Sequence, residues 1–215
     1  MTFALLVVVT VYIGNIGAAS LAGALMLQGR GGARMSEFEF VFPLFALLVG
    51  LAVTEMLAGL AHALKSKRHI HVGWLTPLLG TLILINLAMF WQGSWEMRDA
   101  ITASSSSFLL VLAVGGTYFL AASLTFPSWD ANVRDLDQHF MDNRKLAILA
   151  IAACNAVYFV RVAMLTSQPI TAWWWAGNTA FLALLLVAAL APQRWAILGA
   201  LWALILAHLV LLIIP

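Results

Sequence analysis

The chain has 215 residues, of which 63% are hydrophobic and only 9% charged, with a mean hydropathy of +0.98 and a formal net charge of +2. This composition excludes an ordinary water-soluble domain. The small basic excess reads as a topology signal and not as a nucleic-acid footprint. Apolar runs take up nearly all residues, so these 215 leave no room for a separate soluble catalytic or nucleotide-binding domain.

A hydrocarbon core about 30 Å thick needs roughly 20 apolar residues per helix. Seven stretches meet that length, near Phe3–Leu27, Phe38–Leu64, Trp74–Trp91, Ser104–Phe126, Leu146–Leu165, Ala172–Leu190 and Trp195–Ile214. Helices are expected because backbone polar groups must pair internally in lipid, and the runs are too long and unbroken for barrel strands. The fold class read here is an all-α, polytopic transmembrane bundle, with residues 1–215 forming one domain.

The first stretch carries Ala22-Gly23-Ala24, a passable cleavage site, but Met1-Thr2-Phe3 lacks a basic start and the apolar run is long for a signal peptide. It is read as a true span. Gly14, Ala18 and Ala22 repeat every four residues along it, as do Ala19 and Gly23. Ala46 and Gly50, then Gly59 and Ala63, do the same on the second span. Small residues at this spacing let helices approach closely, so Gly14, Ala18, Gly50 and Gly59 are the expected packing positions. Leucine at Gly50 or Gly59 is expected to disturb that packing.

Glu55, in the second span, is the costliest residue to hold in lipid. A charged acid at mid-helix costs about 2.5–3.5 kcal/mol on insertion scales. It should therefore be neutral, paired, or facing water. One reading is a proton or cation site; the other is a neutral acid bonded to a neighbouring helix. Asn15, Asn86 and Asn155 fall near the middle of their spans, with Asn178 further out. They either line a polar path with Glu55 or bond helices together. Arg161, in the fifth span, is the candidate charge partner of Glu55, although snorkelling to the interface is the simpler expectation.

At this point the chain resembles a known family. Glu37-Phe38…Phe42-Pro43-Leu44, Leu48-x-Gly50-Leu51-x-x-Thr54-Glu55-x-x-x-Gly59-Leu60 and Gly73-Trp74-Leu75 are similar to motifs of small multi-pass bacterial inner-membrane proteins. The segment Pro127…Asp135-Leu136…Phe140…Arg144 carries the same likeness. The resemblance implies a bacterial inner-membrane location and no activity.

After Pro127, Trp129, Val133, Leu136 and Phe140 recur at helical spacing among acidic and basic residues. Residues 127–145 thus read as a short amphipathic helix on the cytoplasmic membrane surface, with Asp130 a candidate cap. Such a segment serves as a connector or as a docking surface for a partner. The run Ser104–Ser107 is expected to cap the fourth span.

Lysine and arginine set the orientation. The second, fourth and sixth loops hold Lys65, Lys67, Arg68, Arg134, Arg144, Lys145 and Arg194, against Arg30, Arg34 and Arg98 in the first and third. The richer side is expected to be cytoplasmic, with the N-terminus inside and the C-terminus outside. Tryptophans at the ends of the spans, including Trp91, Trp95 and Trp173–Trp175 at one face and Trp74, Trp129 and Trp195 at the other, fit interfacial belts.

The lone Cys154 cannot form an internal disulfide or a thiolate cluster. His62 and His208 are expected near opposite faces, too far apart to share a haem. No cofactor or metal is expected, and no nucleophile–base pair stands at a spacing that suggests an enzyme. No Gly- or Pro-broken pair of spans suggests alternating access. Two functions remain: a subunit or interaction protein that contacts lipid and other membrane proteins or copies of itself, and an oligomeric proton or cation channel built on Glu55.

Overall fold

The structure, a computed structural model, describes residues 36–66, 70–96, 98–100, 104–127, 135–165 and 171–213. They form six α-helices: α1 (Glu37–Ser66), α2 (Leu75–Glu96), α3 (Ser105–Thr125), α4 (Leu136–Leu165), α5 (Ala172–Leu190) and α6 (Arg194–Ile213). A single 3-10 turn, Arg98–Ala100, follows α2, and no strand forms among the described residues. The first five helices are long and apolar enough to cross a membrane; α6 is apolar over the shorter run Arg194–Val210. The first stretch, with Gly14, Asn15, Ala18 and Ala22, lies outside the described residues.

Local sequence accounts for the helix starts. Ser36 and Glu39 form a reciprocal capping box: the Ser36 N–H donates to Glu39 Oε2 (2.7 Å) and the Glu39 N–H to Ser36 Oγ (3.1 Å). The Ser104 hydroxyl accepts from the Ser107 N–H at 3.2 Å and caps α3. Thr171 does the same for α5 through the Trp174 N–H at 3.3 Å.

Helices α3 to α6 pack in sequence, each against the next, while α1 packs most extensively on α3. Helix α2 touches α1, α3, α4 and α6 and has the largest buried share of the five spans. It is the centre of the bundle. Contacts such as Phe42–Trp91 on one side and Leu48–Gly115 on the other run α1 antiparallel to α2 and parallel to α3. Water does not drive helices together in lipid, so close approach must supply the attraction. The α1–α3 pair has it: a Cβ on Gly59 would overlap the Phe126 ring, and one on Gly115 would overlap Leu48.

These contacts split the expected packing positions. Gly59 is buried against Phe126, but Gly50 is exposed and a Cβ there would meet nothing within 4 Å. Inside the described bundle Gly59 thus sits in a close helix contact, and Gly50 lies on a side of α1 that turns away from α3.

The second half of the amphipathic segment belongs to the next long helix. Helix α4 runs unbroken for 30 residues from Leu136, ten before the expected start of the fifth span. Residues 136–145 are its first turns and not a separate surface helix. Leu136 and Phe140 are core residues, 0% and 2% exposed. The cap is Asp135, whose Oδ1 accepts from the backbone N–H groups of Asp137 (2.8 Å) and Gln138 (3.3 Å). Trp129, Asp130, Val133 and Arg134 lie outside the described residues.

Exposed tryptophans stand at both ends of the bundle. Trp74, Trp91, Trp95, Trp173, Trp175 and Trp195 are exposed. Trp174 alone of its run turns inward, 2% exposed, with its ring edge-on to Phe159 at 6.2 Å.

Candidate functional site

Two groups of polar residues bear on the expected site. The first lies at the meeting of α2, α3 and α4. Asn86 of α2 and Asn155 of α4 are 2% and 5% exposed, and Tyr118 of α3 lies between them at 2%. The Asn155 amide donates to the Tyr118 hydroxyl at 2.9 Å, to Asn86 Oδ1 at 3.4 Å and to its own helix at Ile151 O, 2.9 Å. The Tyr118 hydroxyl donates to Asn86 Oδ1 at 3.5 Å, and the Asn86 amide donates to Leu82 O at 2.9 Å. Cys154 sits alongside, buried, its thiol 3.8 Å from Val114 O.

Each member of this cluster finds partners within the protein, as buried polar groups must. The chemistry is that of neutral donors and acceptors that fix how three helices face one another. Asn178 is buried apart from them on α5, its amide donating to Trp174 O at 2.9 Å.

The second group is the outward face of α1. Ala52, Met56 and Gly59 turn inward, whereas Leu51, Thr54, Glu55, Ala58 and His62 are exposed on the opposite side. The Thr54 hydroxyl donates back to Gly50 O at 2.8 Å, and His62 Nδ1 lies 3.0 Å from Ala58 O. Among the described residues Glu55 has no hydrogen-bond or ion-pair partner.

The structure thus brings Asn86 and Asn155 together and leaves Glu55 outside their cluster. Arg161 lies in the last turns of α4, and its side chain is outside what the structure describes. His208 is buried on α6, 2.8 Å from Leu204 O and 5.6 Å ring to ring from Phe181, whereas His62 is exposed on α1. Among the described residues no group of three or more His, Cys, Asp or Glu side chains is placed to hold a metal ion.

A third polar set, unforeseen in the sequence, gathers around the start of α4. Asp137 Oδ1 accepts from the Leu75 N–H at 3.1 Å, capping α2 from another helix, and its carboxyl fills the space beside Gly73. Thr76 Oγ1 donates to Leu136 O at 2.8 Å, and the Leu136 N–H donates to His71 O at 3.1 Å. His139 Nε2 lies 3.2 Å from Leu124 O near the end of α3. Arg144, 7% exposed, donates through Nε to Ala189 O (3.2 Å), through NH2 to Ala191 O (3.0 Å) and through NH1 to Met141 O (3.1 Å). A guanidinium at the C-terminal carbonyls of α5 also complements that helix dipole. The first turns of α4 therefore tie down the ends of α2, α3 and α5.

Asp135 stands at the edge of this set, its Oδ1 3.5 Å from His71 Nδ1. Slight desolvation raises its pKa, but the Gln138 and Asp137 N–H groups and the His71 contact outweigh it. The carboxyl is held below its ordinary value.

The fold and these sites define an all-helical protein with five helices fit to cross a membrane. No protein-family model, curated protein or solved structure matches the chain.

Proposed function

We propose that this chain is a non-enzymatic, seven-span membrane protein of the bacterial inner membrane that works as a subunit or interaction protein. In this reading Phe3–Leu27 and α6 also span, the lysine- and arginine-rich ends face the cytoplasm, the N-terminus lies inside and the C-terminus outside. The likeness of Glu37–Leu75 to small multi-pass bacterial inner-membrane proteins supports the location.

One observation carries the functional reading: Glu55 does not join the mid-span amides. Asn86, Tyr118 and Asn155 are buried and bonded to one another, while Glu55 is exposed on the far side of α1. A path for ions inside one chain would need these groups along one wet passage. Amides that bond helices, at about 0.6 kcal/mol each on average, fit a scaffold. The exposed side of α1, with Gly50, Thr54 and Ala58, offers a surface for another helix.

Native mass spectrometry of the protein extracted from its own membranes in mild detergent tests this reading. Extra masses from other polypeptides are the expected result; a bare monomer would count against it. The second reading, an oligomeric proton or cation channel, draws on the exposure of Glu55. Such a passage would lie between copies. Glu55→Gln should then abolish proton flux in liposomes, and unchanged flux would end that role.

A further inference from the structure

We propose that the exposed side of α1 is the seat of a second copy of this chain, set parallel across a two-fold axis, with the two Glu55 carboxyls bonded to each other at the crossing. This rests on the subunit reading above and deepens it by naming one partner and the surface it uses.

The first support is the depth of Glu55. Helix α1 is 30 residues long and apolar enough to cross a membrane. Glu55 stands about 16 Å along it from its end at Ser66. A hydrocarbon core about 30 Å thick, centred on α1, leaves this carboxyl roughly 9 Å inside the nearer boundary. A side chain with two methylenes is too short to reach that boundary, unlike a lysine or arginine. The residues one turn away, Leu51, Ala52, Ala58 and Gly59, carry no hydrogen-bonding side chain, and the adjacent Thr54 hydroxyl is given to Gly50 O. A group from outside the described bundle must meet the acid.

The second support is the chemistry of what can meet it. Arg144 holds the carbonyls at the end of α5, and Arg161 is in the last turns of α4, toward the other end of the bundle. The sequence from Met1 to Leu27 contains no lysine, arginine or histidine. With no cation to match it, a carboxyl in lipid costs least in its neutral form, which both donates and accepts. Another carboxyl at the same depth is its direct complement. A second copy supplies one. The lysine and arginine bias gives every copy one orientation, and a two-fold axis along the membrane normal sets each residue level with its twin.

The third support is the shape of the same face. Gly50, Thr54 and Ala58 stand four residues apart beside Glu55, all exposed, and an added Cβ on Gly50 would meet nothing within 4 Å. Leu47 and Leu51, 61% and 46% exposed, flank them. A contact across a two-fold axis needs a surface complementary to itself. A track of small residues meets this condition, because each copy's track admits the other's backbone. Such an approach brings the two carboxyls within bonding reach, each donating to the other.

Disulfide trapping in native membranes tests the seat, using the full chain with the buried Cys154 changed to Ser. Gly50→Cys, Thr54→Cys and Ala58→Cys should each give a disulfide-linked dimer on mild oxidation. Thr81→Cys and Leu186→Cys, exposed on α2 and α5, should not. Adding Glu55→Leu to Ala58→Cys should cut the linked fraction roughly tenfold, the effect of losing two interhelical hydrogen bonds. Adding Glu55→Gln, whose amide also donates and accepts, should leave it unchanged. Equal linking with Glu55→Leu would overturn the proposal, as would equal linking at Thr81→Cys and Leu186→Cys. Absence of a linked dimer at all three α1 positions would overturn it too, by giving that face to another segment or another protein. Native mass spectrometry of the same membranes separates the two readings. One copy bound to other polypeptides would refute the seat alone, and a bare monomer would refute the subunit reading with it.

Discussion

At the level of single residues, neighbours decide which small or polar positions matter. Gly59 faces the Phe126 ring, and Gly50 faces open space. Gly59→Leu should therefore destabilise the bundle by about 1–3 kcal/mol, the usual cost of overpacking. Thermal unfolding in detergent measures this, and the double variant with Phe126→Ala should lose less than the two single losses combined. An unchanged midpoint for Gly59→Leu would mean that α1 and α3 do not meet there. Tyr118 is a different kind of case. Its ring packs edge-on to Phe90 at 5.1 Å while its hydroxyl takes the Asn155 amide at 2.9 Å. Tyr118→Phe keeps the ring and removes that acceptor. Asn155 retains Ile151 O, so the expected loss is small, under about 1 kcal/mol. A large loss would point to a cluster that acts as one cooperative unit.

At the level of helices, the start of α4 organises its neighbours. Arg144 serves two carbonyls at the end of α5. Arg144→Ala strands them, and the expected cost is about 1.5–3 kcal/mol, the range for hydrogen bonds to a charged group. Arg144→Lys should recover only part of this, because a single ammonium cannot reproduce the planar fork. Equal midpoints for wild type and Arg144→Ala would refute the tie. Asp135, the cap of α4, adds a pH dependence. Its folded pKa is depressed, so its contribution is complete above the ordinary aspartate value of about 3.9 and fades as pH falls through the lower folded value. Asp135→Ala should be less stable than wild type by about 0.5–2 kcal/mol near neutrality. The gap should narrow in acid. Unfolding curves at several pH values compare the two, and a gap that stays constant into strong acid would show that the charge plays no part.

At the level of the whole molecule, α2 is the axis, and α1, α3, α4 and α6 pack against it. The buried Asn86–Tyr118–Asn155 cluster locks α2, α3 and α4 from within, and the α4 start ties the ends of α2, α3 and α5. Such a body is suited to holding its outer faces in place for other helices. If the interaction reading holds, Glu55→Gln should leave the assembly found by native mass spectrometry intact, since the amide keeps the size and hydrogen-bonding capacity of the acid. Loss of a partner mass in that variant would instead make the charge of Glu55 part of the contact.

The amino-acid sequence by itself determined the class and the coarse plan. Long apolar runs need internally bonded backbone in lipid, so the helices, most of their boundaries and the capping role of Ser104 could be read directly. It also singled out Asn86 and Asn155, because an amide in an apolar run stands out at any position. Which polar groups meet was decided only by the tertiary structure. Glu55 and Met56 are adjacent in sequence, and only packing turns one outward and the other inward. Tyr118, Asp137 and Arg144 were missed for the same reason: the partners that tie them to other helices lie 32 or more residues away, beyond any local pattern. A tyrosine in mid-span, away from the interfacial belts, was the one available sign that its hydroxyl needed a buried partner. Of the amphipathic rhythm after Pro127, Leu136 and Phe140 fall in the first turns of α4 and meet the protein core. Periodicity identifies a face to be covered, and only the assembled bundle determines what covers it.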